Sequence, residues 1–271
     1  MKKNERISVI TKILADHPNQ VFSYNYFANL LDAGKSSVCE DIAIVREAFL
    51  KLEQGRVHTF SGASGGVIYY PEVSAQEEKR MLLEIADLLM QPQRQIHGGF
   101  VYYSDILSNP RYSQNIGRII ASKYLEASLD YVVTTETKGI PAAMEAAHYL
   151  NVPVVLIRRS NRVTEGSTIS VNYISGSSNK ISTMYLSRRI DLYQKKVLII
   201  DDFMKGGGTA KGMISLMEEV GADVQDVSVI FATRHPLEKL VAIFNPLLIM
   251  DDSQIGEGKL TIEINQASRQ E

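Results

Sequence analysis

Apolar residues recur at helical spacing through the first 52 residues of the chain. In the clearest group the separations are four, three, four and three residues, which places one apolar face on a helix. His17-Pro18-Asn19 and Ala33-Gly34 break the pattern, and Ser23 is suited to cap the middle helix. The apolar positions are Ile7, Ile10, Ile13 and Leu14, then Tyr26, Phe27, Leu30 and Leu31, then Val38, Ile42, Val45, Phe49 and Leu52. The pattern predicts three short helices around one small core.

A β-hairpin is predicted directly after the third helix. Two β-prone runs, residues 56–60 and 67–70, flank a tip of small residues that contains three glycines, and Pro71 closes the unit. Three helices followed by a hairpin is the element order of a winged helix-turn-helix. That motif inserts its third helix into the major groove of DNA and lays its hairpin, the wing, along the backbone or minor groove.

From Ser74 onward, strand-like runs alternate with helical ones. Helices are predicted at residues 77–90, 115–127, 140–150 and 210–220, and strands at residues 131–133, 152–157, 197–200, 227–232 and 247–250. This alternation is typical of βαβ units in a mostly parallel sheet covered by helices. Residues 160–184 are rich in Ser, Thr, Asn and Gly and form either a mobile loop or an exposed hairpin. The predicted fold class is α/β, with a winged-helix domain at residues 1–73 and a sheet domain at residues 74–271.

Composition narrows the class of protein further. Apolar residues make up 45% of the chain and charged residues 22%, which is typical of a folded globular protein. The single cysteine, Cys39, excludes an internal disulfide framework and a multi-cysteine zinc site. No apolar run is long enough for a signal peptide or a bilayer span, so we expect a cytoplasmic protein with no membrane attachment.

Charge limits how the amino-terminal unit could bind DNA. The whole chain has a net charge of −2, and residues 1–73 contain eight basic and eight acidic side chains. Such a balanced unit is expected to bind non-specific DNA weakly. The third helix starts without an acid before Glu40, so its donors and its dipole favour phosphate there. The candidate contacts to double-stranded operator DNA are Lys35, Ser36, Ser37, Arg56 and His58.

Two alternatives stay open for this unit. It is either a DNA-binding domain or an arm that packs on the larger domain as a lid or a dimerisation element. His58 either contacts a backbone phosphate or is a solvated wing histidine.

The most specific pattern is a strand that ends in two acids and a glycine-rich turn. Residues 197–200 predict a buried strand, and Asp201 and Asp202 follow at its carboxyl end, where α/β sheets bind ligands. The backbone amides of residues 206–209, at a predicted helix start, are suited to a phosphate. The two carboxylates are expected to accept hydrogen bonds from sugar hydroxyls or to meet Mg²⁺. The pattern therefore predicts a site for a ribose that carries a 5′-phosphate.

This segment resembles the phosphoribosyl pyrophosphate motif of type I phosphoribosyltransferases. Residues 134–141, Thr-Thr-Glu-Thr-Lys-Gly-Ile-Pro, resemble the pyrophosphate loop of that family, and Arg158-Arg159 with the loop from Ser160 match the order of its mobile flap. The effector-site residues implied are Asp201, Asp202, Phe203, Met204, Lys205, Gly206, Gly207, Gly208 and Thr209, Thr135, Glu136, Thr137, Lys138 and Gly139, and Arg158. Tyr102 and Tyr103 either stack near the ligand or pack in the core or a hairpin.

The whole chain resembles the bacterial purine operon regulator family, which fuses a winged helix to a phosphoribosyltransferase domain. Lys35-Ser36-Ser37, the loop at residues 138–141 and the Ser- and Asn-rich flap at residues 163–167 and 175–179 are part of that resemblance. It implies a transcriptional repressor or activator of purine biosynthesis genes, with phosphoribosyl pyrophosphate and Mg²⁺ as effector. Guanosine tetraphosphate could contest the same pocket. Half-site recognition favours a homodimer, and no metal site made by protein ligands alone is expected.

One departure from the family pattern bears on catalysis. Gly206 stands where transferases typically carry Thr or Ser, so a hydroxyl that would bind phosphate in the transition state is missing. The chain is therefore expected to bind its effector without turning it over. The alternative is an active purine phosphoribosyltransferase whose first 73 residues regulate or dimerise it.

Overall fold

The structure, a computed structural model, describes residues 1–62, 65–96, 100–174, 181–253 and 259–265. The helices within these ranges are α1 (Lys3–Asp16), α2 (Tyr24–Leu31), α3 (Lys35–Lys51), α4 (Ala75–Leu89), α5 (Ser104–Leu107), α6 (Pro110–Ser122), α7 (Ile140–Leu150) and α8 (Gly208–Glu219). The strands are β1 (Phe22–Ser23), β2 (Arg56–Phe60), β3 (Gly66–Tyr70), β4 (Gln95–Ile96), β5 (Phe100–Val101), β6 (Tyr131–Thr135), β7 (Val154–Ile157), β8 (Thr168–Ile174), β9 (Ile181–Ser187), β10 (Lys196–Met204), β11 (Asp223–Thr233), β12 (Asn245–Asp251) and β13 (Thr261–Ile264).

The first three helices and the hairpin form one unit with its own core. Strand β3 lies between β1 and β2, and the apolar faces of the three helices pack on this small sheet. The hydroxyl of Ser23 caps α2 by accepting a hydrogen bond from the amide of Tyr26. A buried ion pair joins Arg6 of α1 to Asp41 of α3. We call residues 1–70 the winged-helix unit.

Three of the predicted core positions in this unit are wrong. Leu52 is 68% exposed because α3 ends at Lys51 and the chain leaves the apolar face there. Tyr26 and Leu30 lie on the outer side of α2 and are also exposed. The other two members of that group, Phe27 and Leu31, are buried as predicted and suffice to seat the helix.

The larger domain is built on a six-stranded sheet of order β13-β12-β11-β10-β6-β7. All neighbours are parallel except the edge strand β13, which is antiparallel. Leu198 and Ile200 face a core formed with α4, α6 and α7, whereas Val197 and Ile199 face a second core formed with α8. Helices therefore cover both faces, as the alternating pattern predicts.

Element boundaries differ from the sequence predictions at two places that matter for the site. Strand β10 continues to Met204, so Asp201 and Asp202 lie within the strand and not after it. Helix α6 begins at Pro110, five residues before the predicted start, because the Asn109 side chain accepts a hydrogen bond from the Arg111 amide and caps it.

Of the two alternatives for residues 160–184, the hairpin describes them better. Strands β8 and β9 pair antiparallel from Thr168 opposite Ser187 to Ile174 opposite Ile181. The predicted flap segment at residues 175–179 lies outside the described residues. In the part of the chain that is described, no helix has the length and apolar character needed to cross a membrane.

Candidate functional site

The parallel strands end at one edge of the sheet, and a cavity of about 680 Å³ lies there. The ends of strands β10, β11 and β12 and the loop after β6 contribute its floor, as expected for the carboxyl edge of an α/β sheet. The small ribbon of β4 and β5 supplies an apolar wall, which includes Ile96, Phe100 and Val101. The other lining residues are Tyr102, Tyr103, Ser104, Glu136, Thr137, Lys138, Arg159, Asp201, Asp202, Phe203, Lys205, Thr209, Thr233, Met250 and Asp252.

The two acids of β10 have different environments. Asp201 is only 3% exposed, and its carboxylate accepts a hydrogen bond of 3.0 Å from the backbone amide of Asp202. Burial, and then the neighbouring charge of Asp202, raise the pKa of Asp201 well above its ordinary value. Asp202 is partly exposed to the cavity. The pair therefore presents one accessible carboxylate backed by a buried carboxyl.

The Asp202 carboxylate is held from the side by Tyr103. The Tyr103 hydroxyl donates a hydrogen bond of 2.8 Å to Asp202 Oδ2. The Tyr103 ring stacks on Phe203, at 6.0 Å between centroids, and meets the edge of Phe231. Lys138 Nζ also contacts this tyrosine and lies 4.2 Å from the centre of its ring. Of the two tyrosine alternatives, Tyr103 is half-buried in packing and Tyr102 is 47% exposed on the cavity.

The loop after β6 carries a fixed acid and a lysine, and two arginines follow the neighbouring strand β7. Glu136 accepts hydrogen bonds from the Arg158 guanidinium, at 2.8 Å, and from the Arg159 backbone amide, at 3.1 Å. Partial burial opposes ionisation of Glu136, but these bonds, the Arg158 side chain first, outweigh it and lower its pKa. Lys138 is exposed at the cavity, and the Arg159 side chain lines it as well. The loop therefore offers positive charge to the cavity, with Glu136 as an internal brace.

The glycine-rich turn after β10 is held from outside by a lysine. Lys239 Nζ donates hydrogen bonds to the backbone carbonyls of Lys205 and Thr233, and burial lowers its pKa. Gly207 has φ of 83°, and a side-chain carbon there would lie 3.2 Å from the Leu240 amide nitrogen. Only glycine fits both the conformation and the close approach. The turn leads into α8, which begins at Gly208.

The structure brings most of the predicted effector residues to the cavity, but not all. Lining residues include Tyr102, Glu136, Thr137, Lys138, Asp201, Asp202, Phe203, Lys205 and Thr209. Met204 is buried in the α8 core because it lies on the opposite face of β10, and Thr135 is buried with its hydroxyl bonded to the Ile157 carbonyl. Arg158 is turned away from the cavity, toward Glu136 and Glu165. The cavity-lining set does not include Gly139, Gly206, Gly207 or Gly208.

Among the lining residues that the sequence pattern does not indicate, four lie beyond Lys138 in the chain. Arg159, rather than Arg158, reaches the cavity, since the strand alternates its side chains. Thr233 ends β11, and Asp252 follows β12 and binds Lys205 Nζ at 3.1 Å. Met250 also lines the cavity. The signal that could have found Thr233 and Asp252 is their place at the carboxyl ends of predicted strands.

The candidate DNA contacts fall into two groups. Lys35 and Ser36 are exposed and Ser37 is half-buried in the first turn of α3, which has no acid. His58 is exposed on the wing beside Phe60. Arg56, in contrast, is bound to Glu72 and to Glu126 of the larger domain and lies over the Tyr70 ring. Arg56 therefore braces the wing against the larger domain in this conformation.

Comparison with known proteins agrees with this architecture over nearly the whole chain. The model of the family described as "Bacterial purine repressor, N-terminal" matches residues 2–71, and that described as "Phosphoribosyl transferase domain" matches residues 102–244. The purine biosynthesis transcriptional repressor PurR of Bacillus subtilis is 40% identical over 97% of this chain and 92% of its own length. The chain belongs to the bacterial purine regulator family.

Other members of the family differ in the sign of their regulation. The purine biosynthesis transcriptional activator PurR of Lactococcus lactis is 39% identical over 97% of both chains. The probable purine biosynthesis transcriptional regulator PurR of Streptococcus pneumoniae is 44% identical over 84% of both chains. The sequence-based resemblance is thereby confirmed, and the protein is a transcriptional regulator of purine biosynthesis.

Solved structures support the fold of the larger domain of this purine regulator. An adenine phosphoribosyltransferase from Saccharomyces cerevisiae matches with a TM-score of 0.50 and 21% identity, over 60% of this chain and 98% of the other. One from Rhodothermus marinus matches with a TM-score of 0.50 and 20% identity, over 62% and 97%. The predicted α/β phosphoribosyltransferase-like fold is confirmed, and at this identity the likeness extends to the fold alone.

Proposed function

We propose that the larger domain of this regulator binds phosphoribosyl pyrophosphate as an effector without turning it over, and that the winged-helix unit binds operator DNA. The observation that carries the proposal is the convergence of three kinds of group on one cavity. Asp202 offers an acceptor for a sugar hydroxyl, Thr209 lies in the first turn of α8 after the glycine turn, and Lys138 with Arg159 offers positive charge. A ribose flanked by a phosphate and a diphosphate requires this combination.

Each part of the ligand has a proposed partner. The ribose diol hydrogen-bonds to Asp202, with Asp201 behind it. The 5′-phosphate binds the amides of residues 205–209 at the start of α8, where the helix dipole favours an anion. The diphosphate lies at residues 136–139, near Lys138 and Arg159.

Mg²⁺ is proposed to accompany the diphosphate. In the described part of the chain, no group of three His, Cys, Asp or Glu side chains converges to hold a metal. Mg²⁺ is commonly held by one or two carboxylates together with ligand phosphates, and Asp202 and Asp252 both line the cavity. These residues fit an ion that arrives with the ligand, where it would neutralise phosphate charge.

Two properties support binding without turnover. Gly206 removes the hydroxyl that transferases typically place in the phosphate turn, and transition-state stabilisation depends on such groups. The relatives named above are regulators. A transferase stays the second candidate, because the apolar wall at Ile96 and Phe100 leaves space beside the acid pair for a planar base. Guanosine tetraphosphate, with a ribose, a base and diphosphates, is a rival occupant of the same cavity.

Calorimetric titration of the full chain with phosphoribosyl pyrophosphate and Mg²⁺ tests the effector. Binding is expected for the native chain and a loss of at least tenfold for Asp202→Ala, a substitution that removes an acceptor on a charged group. Competition with guanosine tetraphosphate in the same titration separates the rivals. Incubation of labelled phosphoribosyl pyrophosphate with each purine base tests turnover, and nucleotide formed at enzymatic rates would refute effector-only binding.

A DNA shift assay tests the other half of the proposal. An operator-sized duplex from a purine biosynthesis promoter is expected to bind a homodimer, because closed twofold symmetry matches two half-sites. Substitution of Lys35 and Ser36 by alanine should weaken operator binding and leave effector binding unchanged. Sedimentation of the complex measures the number of chains on the duplex.

A further inference from the structure

One side chain contacts both halves of the proposed effector site. Tyr103 precedes α5, lies under the apolar wall of the cavity and belongs to none of the loops that carry the family resemblance. Its hydroxyl bonds to Asp202, on the ribose side, and its ring lies 4.2 Å from Lys138 Nζ, on the diphosphate side. In the described structure, these contacts join β10 to the loop after β6 through a residue from a third part of the chain.

The hydroxyl of Tyr103 is a permanent donor. Burial, and then the charge of Asp202, raise the pKa of Tyr103 far above its ordinary value, so the proton stays on the phenol throughout the neutral range. A carboxylate has about four acceptor positions on two oxygens. The bond to Oδ2 therefore restrains the Asp202 carboxylate and leaves acceptor positions for a ligand.

The ring of Tyr103 is fixed by packing. Phe203 stacks on it with planes 16° apart, and Phe231 meets it edge-on. A cation over an aromatic face is attracted by the ring quadrupole. Lys138 is otherwise an exposed, flexible side chain, so the ring gives its ammonium a defined position at the cavity.

We propose that Tyr103 is a positioning residue for the effector. Its hydroxyl holds Asp202, and its ring holds Lys138. The proposal rests on the function proposed above, because it assigns the ribose to Asp202 and the diphosphate to Lys138. A ligand with both a ribose and a diphosphate uses both fixed groups at once. A fragment uses only one of them.

Ligand fragments separate the two contacts in the full chain. Tyr103→Phe removes the hydroxyl and keeps the ring. It is expected to lower the affinity for ribose 5-phosphate and for phosphoribosyl pyrophosphate about tenfold each, as for loss of a hydrogen bond to a charged group. Binding of inorganic pyrophosphate should change less than about twofold, since the ring stays over Lys138. Tyr103→Met keeps apolar volume but loses the ring, and it should lower the affinity for pyrophosphate as well.

The chain offers a matched control in Tyr124→Phe. The Tyr124 hydroxyl donates a hydrogen bond of 2.9 Å to Asp226, a half-buried tyrosine–aspartate contact toward the amino end of the sheet, away from the cavity. This variant should bind all three ligands as the native chain does. If Tyr103 acts on the site, the two Tyr→Phe variants lose similar stability in thermal unfolding. Only Tyr103→Phe then loses affinity for ribose 5-phosphate.

Tyr103→Phe tests the hydroxyl contact, and Tyr103→Met tests the ring contact. The proposal is overturned if Tyr103→Phe binds ribose 5-phosphate as the native chain does or loses ribose 5-phosphate and pyrophosphate equally, and also if Tyr103→Met binds pyrophosphate as the native chain does. Failure of the native chain to bind phosphoribosyl pyrophosphate is a separate result and refutes the proposed function. Calorimetry measures all of these affinities in one buffer with Mg²⁺.

Discussion

The side-chain amide of Asn19 donates a hydrogen bond of 2.9 Å to the backbone carbonyl of Leu150. Asn19 lies in the turn between α1 and α2 of the winged-helix unit, and Leu150 is the last residue of α7. Helix α7 starts directly after the loop at residues 136–139, so one rigid element of about 16 Å extends from the proposed diphosphate site to the winged-helix unit. The bond satisfies a carbonyl that would otherwise be free at the helix end.

The first prediction concerns this bond. Asn19 has φ of 55°, so Asn19→Gly removes the side chain and keeps the backbone favourable. Operator affinity and effector affinity measured separately should each stay within about threefold. Phosphoribosyl pyrophosphate should change the operator affinity of this variant less than that of the native chain. Coupling between two sites requires a structural element whose position depends on both of them, and this bond is part of that element.

Asn151→Gly is the matched control for that experiment. Asn151 caps α7, also has a left-handed backbone at φ of 56°, and is the next residue after Leu150. Its substitution should leave the effector's influence on operator affinity intact. If both variants lose that influence equally, the Asn19 bond is not the connection.

The second prediction concerns the buried pair between Arg6 and Asp41. Asp41 is fully buried, and Arg6 keeps 15% of its side chain exposed. Asp41→Asn leaves a buried guanidinium without its charge partner, which typically costs about 3 kcal/mol. Hydrogen exchange of α3 in the full chain should become faster, since the ionic contact between α3 and α1 is then lost.

Asp16→Asn provides the comparison on the surface. Asp16 pairs with Lys12 one turn away on α1, and both side chains are well exposed. Such a pair contributes about 0.3–0.5 kcal/mol. The exchange rate of α3 should therefore stay as in the native chain, and a comparable acceleration in both variants would contradict a special role for the buried pair.

The third prediction concerns the pH dependence of stability. The pKa of Asp201 is raised by burial and by Asp202, so its neutral form is the one the folded chain favours. A raised folded-state pKa contributes stability below the unfolded value of about 4, and this stability is lost as the pH rises through the folded value. The difference in Tm between Asp201→Asn and the native chain should therefore increase steadily as the pH is raised above about 4.

Asp130→Asn should show the opposite trend. The Lys196 backbone amide, through its hydrogen bond, lowers the pKa of Asp130, so its charged form is favoured in the folded chain. That contribution is present above the unfolded pKa and is lost as the pH falls. The Tm of Asp130→Asn relative to the native chain should therefore decrease as the pH rises toward about 4 and stay level above it. Scanning fluorimetry in matched buffers follows both variants.

The fourth prediction concerns Lys239, which holds the glycine turn. Lys239→Met removes the hydrogen bonds to the carbonyls of Lys205 and Thr233 and keeps the apolar stem. Ribose 5-phosphate affinity should fall about tenfold. The backbone amides of the turn bind phosphate well only when they are held in place, and without Lys239 ordering them on binding costs about 1 kcal/mol. Pyrophosphate affinity should change little. Lys211→Met, an exposed position on α8, should change neither.

Much of the fold could be predicted from local pattern. Val38, Ile42 and Val45 are buried on one face of α3 as their spacing predicts, and the strand at residues 197–200 is buried on both faces. Periodicity reports which side of an element meets apolar neighbours. It cannot report where a helix leaves its core, and so the spacing places Leu52 on a face that ends one residue earlier.

The amino-acid pattern alone specifies the two folds, their order and several of the segments that line the cavity, because these depend on residue spacing and local turn chemistry. Packing in three dimensions places Arg159 rather than Arg158 at the cavity, bonds Tyr103 to Asp202 and brings Asn19 to Leu150. The last two contacts join residues 99 and 131 positions apart. No local pattern specifies such contacts, since they depend on how whole elements pack around a shared core.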